Sequence, residues 1–89
     1  MAKKREKLEI IRVVLSAINT RGGIKPTRLL YSSNLSPQMF KEYTGMLIEK
    51  NFIKELVESG KKKFSLTSKG RGFLQEYVVI ENLIKNFGL

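Results

Sequence analysis

The chain has 89 residues, enough for one small domain, and its 42% hydrophobic and 28% charged residues match a folded protein rather than a disordered one. Seventeen Lys and Arg against eight Glu give a net charge of +9, a balance that points to an anionic partner, nucleic acid foremost. There is no Cys and no His, which excludes disulfide frameworks, thiolate zinc sites and catalysis that relies on either side chain.

The excess charge is concentrated. Residues 1–7 carry Lys3, Lys4, Arg5 and Lys7 against Glu6, a net +3, and residues 61–71 carry Lys61, Lys62, Lys63, Lys69 and Arg71 with no acid, a net +5. These 18 residues hold +8 of the +9. The opening MAKKREKLEIIRVVLSAI has the basic front and apolar run of a secretory signal, but Glu6, Glu9 and Arg12 interrupt the run. No apolar stretch reaches the roughly 20 residues that span a bilayer. A cytoplasmic, nucleoid-associated location without membrane contact is therefore expected.

Leu8, Ile11, Leu15 and Ile18 follow one another at intervals of three, four and three, with Val14 alongside, and predict an amphipathic helix of three to four turns. Residues 1–7 are expected to precede it as a basic arm. Gly22-Gly23 is expected to end the helix, because glycine accepts the left-handed geometry of a C-cap. Pro26 suits the first turn of a second helix, where its missing N–H costs nothing. That pattern breaks at Ser33-Asn34. Ser36-Pro37 then repeats the start signal with a serine N-cap before proline. The third helix is expected to bury Phe40, Tyr43, Leu47 and Ile48 and to stop near Asn51, with Leu35 plugging the turn before it. A short helix, a tight turn and a longer helix make a helix-turn-helix.

After Asn51 the period changes. FIKELVE and KFSL read as two strands joined through Ser-Gly-Lys-Lys, a hairpin with a glycine turn. Thr67 reads as the N-cap of a last helix, in which Phe73, Tyr77, Ile80, Ile84 and Phe87 recur every three or four residues. Leu74, Val78 and Leu83 widen that stripe. The fold class is thus mainly α with a small β-hairpin: a winged helix-turn-helix with a long C-terminal helix. The expected divisions are the arm at 1–7, the winged helix-turn-helix at 8–72 and the C-terminal helix at 73–89.

The run from Ile24 to Ile53, followed by F-S-L-T-S-K-G-R, resembles the archaeal winged-helix regulators and, within them, the ten-kilodalton DNA-binding proteins of Sulfolobus. K-K-R-E-K-L-E-I-I, K-P-T-R-L-L-Y, N-L-S, E-Y-x-x-M-L-I-E-K-N-F-I and L-T-S-K-G carry the resemblance across most of the chain. It implies binding of double-stranded DNA and dimerisation through an antiparallel coiled coil of the last helices. Thr44 stands where the family usually has leucine, and Asn51 where it often has glycine.

Four groups of residues are candidates for DNA contact. The third helix would lie in the major groove, with Ser36, Pro37, Gln38, Lys41 and Glu42 toward the DNA. Gln38 there suits adenine, and Lys41 suits guanine or phosphate. Lys25, Thr27 and Arg28 open the preceding helix, the end that lies beside the DNA backbone in such docking. Lys61, Lys62 and Lys63 form the wing, and Lys3, Lys4, Arg5 and Lys7 the arm. Phe73, Tyr77, Ile80, Ile84 and Phe87 are the candidates for homodimerisation. No catalytic residue, metal ligand or cofactor motif stands out. The expected function is a non-enzymatic, dimeric double-stranded DNA-binding protein, either a transcriptional regulator or a chromatin-type architectural protein. The alternative is a winged-helix module for protein–protein contact within a transcription complex. RNA binding ranks below both, because the hairpin lacks the stacking aromatics of RNA-binding sheets.

Overall fold

The computed structural model describes residues 2–19 and 23–88, with the side chains of residues 2–5 left out. Four helices and one hairpin follow in the order α1 (Ala2–Ile18), α2 (Pro26–Ser33), α3 (Pro37–Glu49), β1 (Ile53–Glu58), β2 (Lys61–Leu66) and α4 (Ser68–Asn86). This is the expected winged helix-turn-helix. Ile11, Val14, Leu15 and Ile18 of α1 meet Leu29 of α2, Leu47 of α3, Ile53 of β1 and Phe64 and Leu66 of β2 in one core. Each Leu or Ile fully withdrawn from water there contributes roughly 1.5–3 kcal/mol. Phe40 packs edge-on against Phe64, ring centroids 6.4 Å apart, and so fixes α3 on the hairpin.

The helix ends follow local chemistry. Pro26 opens α2 after Lys25, whose side chain makes no cap, and Asn34 closes it in the left-handed conformation at φ 55°. Ser36 caps α3, its hydroxyl accepting from Met39 N–H at 3.2 Å. Asn51, at φ 64°, takes the left-handed turn after α3; asparagine tolerates that region better than most residues, which explains how it replaces glycine there. Thr44 is buried, and its hydroxyl donates to the Phe40 carbonyl at 2.8 Å. A polar side chain thus sits in an apolar position at no cost in unpaired groups.

Three expectations need correction. Helix α1 starts at Ala2, so Lys3, Lys4, Arg5 and Lys7 lie on its first two turns and not on an arm before it. Ala, Lys, Arg and Glu are all strong helix formers, and nothing in the run stops propagation toward the N-terminus. Gly23 does not cap α1, which ends at Ile18, and Gly22 lies outside the described residues. Gly23 (φ 86°) instead passes so close to β2 that a Cβ would stand 2.8 Å from the Phe64 carbonyl oxygen. The hairpin turn is shorter than expected: Ser59 and Gly60 alone form it, both at positive φ (51° and 76°). That is the turn whose twist matches paired antiparallel strands, and it puts all three lysines into β2.

Ile24 joins β2 through a single antiparallel bridge to Phe64. Its N–H donates to the Phe64 carbonyl at 2.9 Å, and Phe64 N–H donates back at 2.8 Å. At the other side of the hairpin, Thr67 caps α4 by accepting from Gly70 N–H at 3.1 Å. Helix α4 then runs unbroken across position 72. Arg12 joins it to α1, with Nε 3.6 Å from Glu81 and its guanidinium 5.9 Å from the Tyr77 ring centroid. The molecule measures 48 × 25 × 21 Å, with a radius of gyration of 13.7 Å. A compact globule of this length has about 12 Å.

Candidate nucleic-acid interface

Helix α3 turns Leu47 and Thr44 into the core and leaves Ser36, Pro37, Gln38, Lys41, Glu42 and Gly45 exposed. A Cβ on Gly45 would meet nothing within 4 Å, so the outward face is open to a close-fitting partner. It offers one amide, one ammonium and one carboxylate. These suit a few polar contacts in a groove rather than dense base readout.

Lys25, Thr27 and Arg28 are exposed at the start of α2. Lys25 and Arg28 line a cleft of about 510 Å3, together with Gly23, Ser32 and Lys63. The Ile24–Phe64 pairing places it, because that pairing sets Lys63 of β2 beside the residues that lead into α2. The Lys63 Cβ is 3.5 Å from the Cβ position of Gly23. Two groups of site residues assigned separately from the sequence thus form one cationic cleft.

The three wing lysines are not equivalent. Lys62 Nζ is 3.1 Å from Glu55 Oε2 across the hairpin, an exposed ion pair. Lys61 stands opposite Glu58 in the strand register, and Lys63 stands opposite Leu56. Lys69, also in the basic stretch, donates to the Lys50 carbonyl at 2.9 Å and lies 4.8 Å from the Phe52 ring centroid. It completes the C-terminal end of α3, where a cation also suits the helix dipole. The positive run at 61–71 is therefore partly spent on the fold itself. On α1, Lys7 is exposed, and the side chains of Lys3, Lys4 and Arg5 lie outside the described residues.

The apolar residues of α4 divide in two. Phe73 packs edge-on against Phe52 at 5.6 Å and beside Tyr77 at 5.9 Å. Ile84 is half-buried, whereas Val79, Ile80, Leu83 and Phe87 are 53–73% exposed. An open groove of about 580 Å3 lies between α1 and α4, lined by Leu8, Phe73, Tyr77, Ile80 and Ile84 among others. The sequence pattern puts Phe73 and Tyr77 on one stripe with Ile80, Ile84 and Phe87, whereas the structure packs Phe73 against Phe52 within the chain and leaves Val79 exposed. Helical spacing shows which residues share a face, but not which neighbour covers them. Among the described residues, no helix is long and apolar enough to cross a membrane.

Known proteins agree with this architecture. A family model described as winged helix-turn-helix matches residues 4–85. An uncharacterized protein of Methanocaldococcus jannaschii is 31% identical over 81 residues, which are 91% of this chain and 36% of that protein. The chain thus spans about a third of that relative's length. Sso10a-2, a DNA-binding protein from Sulfolobus solfataricus, superposes with a TM-score of 0.72 at 19% identity, over 90% of this chain and 82% of that one. F-93 of SSV1 gives 0.69 at 27% identity, over 88% and 91%. MepR, a transcription regulator of a Staphylococcus aureus multidrug efflux pump, shares the fold at TM-score 0.81 and 14% identity, over 96% of this chain and 67% of its own. With the family model matching nearly its whole length, the chain belongs to the winged helix-turn-helix family.

Proposed function

We propose that the protein binds double-stranded DNA as a homodimer, without catalysis, as a transcriptional regulator or an architectural protein of the nucleoid. The observation that carries this reading is the helix-turn-helix itself. Its second helix leaves Gln38 and Lys41 open to solvent, and a separate cleft gathers Lys25, Arg28 and Lys63. In this mode of docking, α3 enters the major groove, the start of α2 meets the backbone, and the wing lies over the adjacent groove. Solved relatives include a DNA-binding protein from Sulfolobus solfataricus and a MepR variant bound to an oligodeoxyribonucleotide.

The support for dimerisation comes from α4. Val79, Ile80, Leu83 and Phe87 form an apolar stripe over its last two turns, which a small soluble domain does not leave open without a partner. Pairing α4 with its copy covers the stripe and presents two recognition helices to one duplex. Selection on random duplexes tests the reading. A defined motif identifies a regulator, retention without a motif identifies an architectural protein, and no retention of duplex rejects DNA binding.

A further inference from the structure

We infer that Lys63, at the base of the wing, forms with Lys25 and Arg28 a single site for one phosphate group of the duplex backbone, separate from the wing tip. The inference rests on the DNA-binding reading above and assigns work within it. Three observations carry it. Main-chain bonds between Ile24 and Phe64 hold the lead into α2 against β2 at 2.8–2.9 Å, so the two sources of charge are rigidly joined. The three cations line one cleft of about 510 Å3, with Ser32 as the remaining polar side chain. None of the three has an acidic partner within 4 Å among the described residues, whereas Lys62 is paired with Glu55 and Lys61 faces Glu58 across the turn.

Three cationic side chains lining one cleft repel one another, and an anion held among them offsets that repulsion. A tetrahedral phosphate, with several acceptor oxygens, suits a cleft lined by three donors. The site lies at the wing base, three residues beyond Gly60. It therefore grips backbone beside α2 and does not enter a groove.

The test compares Lys63→Ala with Lys61→Ala by fluorescence anisotropy on a duplex two helical turns long. Both substitutions lower the net charge equally, so a diffuse positive field makes them indistinguishable. The expected result is a loss of about tenfold in affinity for Lys63→Ala, with the salt slope flattened by about 0.9. Lys61→Ala should cost no more than about threefold, and Lys63→Arg should restore binding. Arg28→Ala combined with Lys63→Ala should cost less than the product of the single losses, because both act on one phosphate. Equal losses for Lys61→Ala and Lys63→Ala overturn the inference while leaving DNA binding intact. Failure of the wild-type protein to bind duplex overturns the function proposed above. A titration with inorganic phosphate followed by amide NMR separates the source of the anion. Saturable shifts at Gly23, Lys25 and Lys63, with duplex affinity unchanged in Lys63→Ala, identify a free-anion site and overturn the backbone assignment.

Discussion

Gly70 and Gly72 lie two residues apart in α4, and alanine at each should have opposite effects on stability. A Cβ on Gly70 would stand 2.2 Å from the Phe52 carbonyl oxygen and 3.3 Å from Leu66 Cδ2, while one on Gly72 meets nothing within 4 Å. The first contact is roughly 1 Å inside normal carbon–oxygen approach, and the obstacle is backbone, so α4 must shift. That carbonyl also accepts from Thr67 N–H at 3.2 Å and lies 3.1 Å from the Thr67 hydroxyl. Overpacking costs about 1–3 kcal/mol and each disturbed bond about 1 kcal/mol. Against this, alanine gains about 1 kcal/mol over glycine in a helix. The net for Gly70→Ala is a loss of about 2–4 kcal/mol, which lowers the Tm by at least about 10 °C in a domain this size. Gly72→Ala should gain about 0.5–1 kcal/mol and melt a few degrees higher. Circular dichroism melts measure both, at one fixed protein concentration so that any self-association enters equally. Equal shifts in the two variants, or a Gly70→Ala protein as stable as wild type, would refute the packing described for α4.

Replacing Val79 and Leu83 together with Lys should give a folded monomer by light scattering, since both are exposed within one chain; a dimer of unchanged affinity would reject α4 as the interface. Phe73→Ala should instead lose about 2 kcal/mol of stability, because its ring packs against Phe52 within the chain. Ser36→Ala removes the cap of α3 and should cost about 1 kcal/mol in urea unfolding. Thr44→Val should change stability by less than about 1 kcal/mol. Among the described residues its hydroxyl bonds only to carbonyls of its own helix, and back-bonding of that kind adds little to a helix.

What the sequence disclosed, and what it hid, follows the range of the interactions. Pro26, Ser36-Pro37 and Thr67 act within one helical turn, so the starts of α2, α3 and α4 were legible as caps. Ser59-Gly60 marked the hairpin for the same reason, although the turn proved tighter than its flanking lysines implied. Gly23 looks like a local C-cap in the sequence, because its true constraint comes from Phe64, far along the chain. The same distance concealed the cleft: Lys25 and Arg28 share it with Lys63 where Ile24 pairs with Phe64. Charge counting identified residues 61–71 as the basic cluster, but not that Lys69 is engaged with the Lys50 carbonyl and Lys62 with Glu55. The stripe on α4 was visible as periodicity. Its division between Phe73, half-buried against Phe52, and Leu83, open to solvent, depends on tertiary contacts that periodicity does not contain.

The central claim is that this chain binds duplex DNA through phosphate-facing cations placed by the helix-turn-helix and the wing. The measurement closest to it is the salt dependence of affinity for a duplex between about 50 and 200 mM salt. Engagement of Lys25, Arg28 and Lys63 with separate or shared phosphates, in both copies of a dimer, places the slope of log affinity on log salt between about −2 and −5. A slope near zero, or no binding to duplex at the low-salt end, would contradict the account.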